Sequence, residues 1–134
     1  MSDSERIATR FTGGNQLVVE LWGAAKIDDW TIAEVAIPRA IDATRSTLEC
    51  FRLRKSPGDG SLFAVARMAD AQIVIHAWPK NSYAIIGILA RGGTEACRAA
   101  SVLIEAFQPE RSEIRTTTAL TIWRRSSLWR PSLG

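Results

Sequence analysis

The only histidine of the chain stands in the run Ile75-His76-Ala77-Trp78-Pro79. An imidazole titrates near neutral pH, which makes His76 a candidate general base, with Asp70 or Glu20 to orient it. The plainer reading is a histidine packed or hydrogen-bonded on a strand beside a tryptophan. Trp22, Trp30 and Trp78 read first as packing surfaces. Cys50 and Cys97 fall on apolar faces and read as packing thiols. Two cysteines so far apart in sequence, and one histidine, exclude a disulfide scaffold, a zinc site and a multi-histidine metal centre.

These residues must be held by elements that the hydropathy pattern outlines. Residues 1–13 form a polar arm ahead of Gly13-Gly14. Leu17 to Trp22 reads as a strand that stops at Gly23. Asp28 and Asp29 are N-cap candidates for a helix with Ile32, Val35, Ala36, Ala40 and Ile41 on one face. Pro38 predicts a kink in that helix or the first residue of a second one. Thr47–Leu53, Leu62–Met68, Gln72–Trp78 and Tyr83–Leu89 read as strands, with a turn at Ser56–Gly60 and another at Pro79–Ser82. Thr94 reads as the cap of a second helix whose apolar face is Ala96, Cys97, Ala100, Leu103, Ile104 and Phe107, stopped by Gln108-Pro109. Ile114 to Trp123 reads as a last strand. The order β-α-β-β-β-β-α-β predicts an α/β (α+β) two-layer sandwich, two helices on one face of a mainly antiparallel sheet. It spans residues 14–123, with a basic tail over 124–134.

The chain has 134 residues and is 46% hydrophobic and 23% charged, which suits one globular domain and excludes a disordered or fibrous chain. The net charge of +3 is local: residues 123–134 hold three arginines and no acid, and the remainder is balanced. A balanced body argues against a nucleic-acid partner. The tail, which interleaves Trp123 and Trp129 with Arg124, Arg125 and Arg130, could touch RNA, an acidic protein or a membrane surface, the plainer reading being a solvated extension of the last strand. No apolar run reaches the roughly 18 residues of a membrane span. The polar, acid-bearing first residues do not read as a secretory signal, so the expected location is the cytoplasm, with no membrane association.

In order and spacing, Gly14-Asn15-Gln16-Leu17, Glu20-Leu21-Trp22-Gly23, Asp70-Ala71-Gln72, Ile75-His76-Ala77-Trp78-Pro79 and Tyr83-Ala84 to Arg91-Gly92 resemble the prokaryotic S-adenosylmethionine decarboxylases. Members carry G-x-H-L, D-L-Y-G, E-S-H-x-x-I-H-T-W-P-E and Y-A-A-V-D-x-F-T-C-G. The resemblance covers residues 14–107. It implies a sandwich protomer that dimerises, a role in polyamine (spermidine) biosynthesis, and a pyruvoyl group made by self-cleavage before a serine.

Several positions depart from that pattern. The self-cleaving serine reads Ala71, and a methyl group has no lone pair with which to attack the backbone. Residues 63–75 contain no Ser, Thr or Cys; Ser61 corresponds loosely to the family's processing-assisting serine. The proton-donating cysteine reads Arg91, which cannot give up a proton near neutral pH. The acid of V-D-x-F reads Gly87. Of the catalytic set only His76 stands in place. The expectation is therefore an uncut chain without a pyruvoyl cofactor, acting as a homodimer or as partner of an active paralogue. An alternative is a non-pyruvoyl enzyme or a small-molecule sensor using the relic pocket of Glu20, Asp70, His76, Trp78 and Arg91. In that pocket Arg91 would repel a sulfonium and anchor an anion; the plainer reading pairs Arg91 with Asp70 or Glu20. Trp78, in the family's pocket-forming segment, is the best candidate ligand platform among the tryptophans.

Overall fold

A computed structural model describes residues 15–24 and 26–118. The arm over residues 1–13 and the tail over 124–134 lie outside them.

Six strands form one antiparallel sheet in the order β2-β3-β4-β5-β1-β6. They are β1 (Asn15–Trp22), β2 (Leu48–Lys55), β3 (Leu62–Met68), β4 (Gln72–Trp78), β5 (Tyr83–Leu89) and β6 (Arg111–Thr118). Two helices, α1 (Trp30–Ala43) and α2 (Gly93–Phe107), pack against each other, and α2 also lies against β1 and β5. The strands show why the layers form. Leu17, Val19 and Leu21, Ala64 and Ala66, Ile73 and Ile75, and Ala84, Ile86 and Ile88 alternate along their strands and join the helix-side core. The intervening residues point to the second face.

Asp29 caps α1, its carboxylate accepting from the Thr31 N–H at 2.9 Å. The buried stripe of α1 is Ala33, Ala36, Ile37, Ala40 and Ile41. It is rotated from the face expected from sequence: Val35 is 56% exposed and Ile32 only partly buried. The stripe Ala33–Ala36–Ile37–Ala40–Ile41 keeps i, i+3, i+4 spacing throughout, and its small alanines let the helices approach closely. Pro38 sits inside one continuous helix rather than at the start of a second, because the buried residues on both sides hold the axis together. In α2, Gly92 rather than Thr94 is the N-cap, so Thr94 falls in the first turn. Gln108 ends α2 in the left-handed conformation, its N–H bonded to the Ile104 carbonyl. Cys97 is buried, as expected, whereas Cys50 is exposed on β2.

The sharpest local conflict is at Gln16, on the second face of β1. It is 1% exposed, and among the described residues neither its carboxamide nitrogen nor its oxygen has a hydrogen-bond partner. A buried amide without partners costs about 1–3 kcal/mol. Gln16→Leu is therefore expected to raise stability by about 1–2 kcal/mol, a melting temperature higher by about 4–8 °C. Thermal unfolding checks it, and a lower midpoint would show that the amide is satisfied.

Candidate functional site

The register of the sheet lays the second face out as rows. Trp78, Tyr83 and Trp22 stand side by side on β4, β5 and β1, with Arg111 next on β6. The next row is Phe63, His76, Ile85, Glu20 and Glu113, and the one after is Val65, Val74, Gly87, Val18 and Arg115.

Side chains on these rows interlock. The His76 ring stacks on Trp78 with centroids 3.9 Å apart and planes at 25°. Phe63 meets His76 edge-on at 5.8 Å. Trp78 stacks on Tyr83 at 5.6 Å, Tyr83 lies 5.8 Å from Trp22, and the Arg111 guanidinium sits 4.3 Å over the Trp22 ring. At the edge of this aromatic run the Tyr83 hydroxyl donates to Glu20 Oε2 at 2.7 Å, and Arg115 Nη1 closes on Glu20 Oε1. Burial, and then the bond to the Glu20 carboxylate, push the Tyr83 hydroxyl well above the usual phenol range, so it stays a donor. Glu20 thus serves Tyr83 and Arg115, and Ile85 of β5 stands between it and His76. This Tyr83–Glu20–Arg115 chain was missed in the sequence reading. Its only trace there was a carboxylate alternating with Val18 and Trp22 on a strand whose other side is wholly apolar.

His76 is 6% exposed. Burial lowers its pKa below the ordinary 6.5, a more distant Asp59 carboxylate opposing the shift. The folded protein therefore binds that proton less readily than the unfolded chain. Stability is full above the unfolded-state value and declines as pH falls through about 6.5 toward the folded-state value. Urea midpoints at pH 7.5 and 5.5 are expected to drop for the wild-type chain by more than for His76→Gln. Equal drops would mean that the imidazole is not the group responsible.

The other candidate residues gather elsewhere. Ala69 and Asp70 fill the tight β3–β4 turn, closed by the Met68 N–H donating to the Ala71 carbonyl at 2.9 Å. Asp70 Oδ2 pairs with Arg91 Nε at 2.7 Å, and its Oδ1 accepts from the Ser46 hydroxyl at 3.0 Å. This is the plainer of the two expectations for Arg91. The pair is largely solvent-exposed, so it contributes little to stability. It ties the β3–β4 turn to the segment entering α2 and to the loop after α1. The structure thus brings Asp70 and Arg91 together at one end of β4 and His76 and Trp78 together at the other, with Glu20 on the same face as His76 but two strands away, across Ile85. From His76 to Gln72, where β4 begins, the strand alone spans roughly 13 Å.

The donor set at the turn does not fit a self-made pyruvoyl group. Ala71 is 8% exposed and offers only a methyl, and neither β3 after Leu62 nor β4 up to Ile75 brings a hydroxyl or thiol near it. Among the described residues no group of three or more His, Cys, Asp or Glu is placed to hold a metal ion, and no helix is long and apolar enough to cross a membrane.

Comparison with known proteins gives a consistent result. The sequence model of the family described as S-adenosylmethionine decarboxylase matches residues 15–119. An S-adenosylmethionine decarboxylase proenzyme of Thermomicrobium roseum is 32% identical over 102 residues, covering 75% of this chain and 88% of the relative. One of Methanococcus maripaludis is 30% identical over 104 residues, covering 75% and 84%. The crystal structure of the adenosylmethionine decarboxylase from Aquifex aeolicus superimposes with a TM-score of 0.68 at 22% identity, over 80% of this chain and 90% of that one. That structure shares the two-layer fold.

Proposed function

The chain belongs to the S-adenosylmethionine decarboxylase family, and from that membership we propose that it is a non-catalytic member serving polyamine (spermidine) biosynthesis in the cytoplasm. It stays one polypeptide, carries no pyruvoyl group, and acts by association, either with a second copy or with an active paralogue whose activity it sets. The observation that carries this reading is Ala71 in the β3–β4 turn, where the attacking oxygen would have to be. Two further features agree with it. Arg91, in the place of the proton-donating cysteine, is held by Asp70 rather than turned toward His76. Gly87 leaves the middle of the second face without the acid that members carry there.

The test is purification of the tagged chain from its own cells, followed by mass spectrometry of what co-elutes and by assay of any self-cleaved family member recovered. A decarboxylase whose rate changes several-fold when this chain is added supports the paralogue reading. Recovery of a homodimer alone overturns that branch and leaves self-association. A second reading, a small-molecule sensor, draws on the part-exposed aromatic run Trp78–Tyr83–Trp22 beside Glu20 and His76. Calorimetry with S-adenosylmethionine separates the two: micromolar binding favours the sensor and sinks the idea that Arg91 excludes a sulfonium.

A further inference from the structure

β2 is the terminal strand of the sheet, and among the described residues only β3 pairs with it. Its ladder to β3 is irregular between Leu48 and Cys50 and regular from Cys50 to Lys55. Among the described residues, therefore, no strand takes up the outer backbone groups of that regular stretch. The side chains of β2 divide by face. Phe51 and Leu53 are partly buried and pack on the rim of the core. Arg52 and Arg54 are exposed on the second face, where Arg67 of β3 stands diagonal to Arg52. Among the described residues none of these three arginines enters an ion pair. Leu48, at the start of the strand, is 38% exposed.

The opposite edge is built differently. On β6, Arg111 pairs with Glu113 at 2.9 Å and Arg115 pairs with Glu20. Charges of either sign guard an edge against unwanted pairing, and β6 uses both. On its second face the regular stretch of β2 carries one sign only, without an ion pair among the described residues, and its alternate positions are Phe51, Leu53 and the exposed Lys55. Such an edge asks for a complement. Because the side-chain period is two, a strand added to β2 sets every second residue opposite Arg52 and Arg54 and the rest beside Phe51 and Leu53. A second copy of β2 is the poorer occupant, since antiparallel registers centred on Arg52 or Leu53 set arginine against arginine.

We propose that β2 is a docking edge for an extended acidic segment of a partner protein, which adds a strand with carboxylates facing Arg52 and Arg54 and apolar side chains over Phe51 and Leu53. Backbone bonds supply the pairing, and the arginines select the partner by charge. The same arginines would also attract single-stranded RNA, but the sugar-phosphate backbone has no repeating N–H and C=O groups to continue the ladder of the strand edge.

The test uses a fluorescent peptide the length of β2 that alternates Glu and Val, titrated into the full chain by anisotropy. Expected are binding at least about tenfold tighter than for the Lys/Val counterpart, and gained amide protection over residues 50–55. The exposed double substitution Arg52→Glu/Arg54→Glu, checked for an unchanged melting temperature, should reverse the preference between the two peptides. N-methylation of alternate peptide amides should weaken binding by at least about tenfold. Equal or absent binding of the Glu and Lys peptides overturns the proposal. So does tolerance of N-methylation, which would leave charge alone, or displacement of the peptide by oligouridine at equal concentration.

Discussion

Purified and incubated with S-adenosylmethionine, the chain is expected to remain a single species at its full 14.7 kDa, and carbon dioxide release is expected to stay at background. Self-processing of the kind the family resemblance implies begins with a side-chain oxygen or sulfur that attacks the carbonyl of the residue before it; β-elimination of the new ester frees the upstream carboxylate, and water then hydrolyses the resulting imine to a keto group with release of ammonia. Ala71 has neither atom. No residue of the two strands substitutes for it, because residues 63–75 hold no hydroxyl or thiol, and the Ser46 hydroxyl that reaches the turn is engaged with the Asp70 carboxylate. The effect is all-or-none rather than a slowing. Intact-mass spectrometry reads it directly: two fragments meeting between Asp70 and Ala71, the second with a keto-blocked terminus, would overturn the non-catalytic reading.

The second large effect concerns the layer that supports the sheet. Leu103 of α2 is fully buried in the core cluster. Truncation to alanine is expected to cost about 3 kcal/mol, the transfer term plus the cavity left behind, out of a total of about 5–15 kcal/mol. A urea midpoint lower by about 1–2 M would report it. Leu103→Met should cost less than about 1.5 kcal/mol because it conserves volume. Val35→Ala on α1 should fall within about 0.5 kcal/mol, because its side chain faces water. A loss at Val35 comparable to that at Leu103 would mean that α1 is rotated the other way.

That rotation shows where sequence reasoning stops. The strands were legible because period two is short and each break carries Gly, Pro or Asp, as at Ser56–Gly60. The face of α1 was not, because Ile32 and Val35 are as apolar as the residues that are buried, and only packing against α2 chooses among overlapping stripes. Asp29 was readable as a cap since an Asx side chain before a helix has few other uses. Thr94 misled because the cap role fell to Gly92, whose backbone alone suffices. At the site, Ala71 and Arg91 were readable as departures from a family pattern, and His76 as the residue retained. The stacking of His76 on Trp78 follows from their i, i+2 places on one strand. The separation of His76 from Arg91, and the union of Glu20, Tyr83 and Arg115, follow from strand order, which no local pattern encodes. The arginines of β2 looked like an ordinary solvated strand until the sheet order made that strand an edge.

The position of β1 bears on how the protein is made. Of the described strands this one leaves the ribosome first, yet it lies between β5 and β6, with Leu17 opposite Ile88 on one side and Thr116 on the other. The hairpins from β2 to β5 close one after another as they emerge, while β1 waits until β5, which ends at Leu89, has been made, about 3–13 s at ordinary translation rates. During that interval Leu17, Val19 and Leu21, which end in the core, have no sheet to join and stay exposed on the nascent chain.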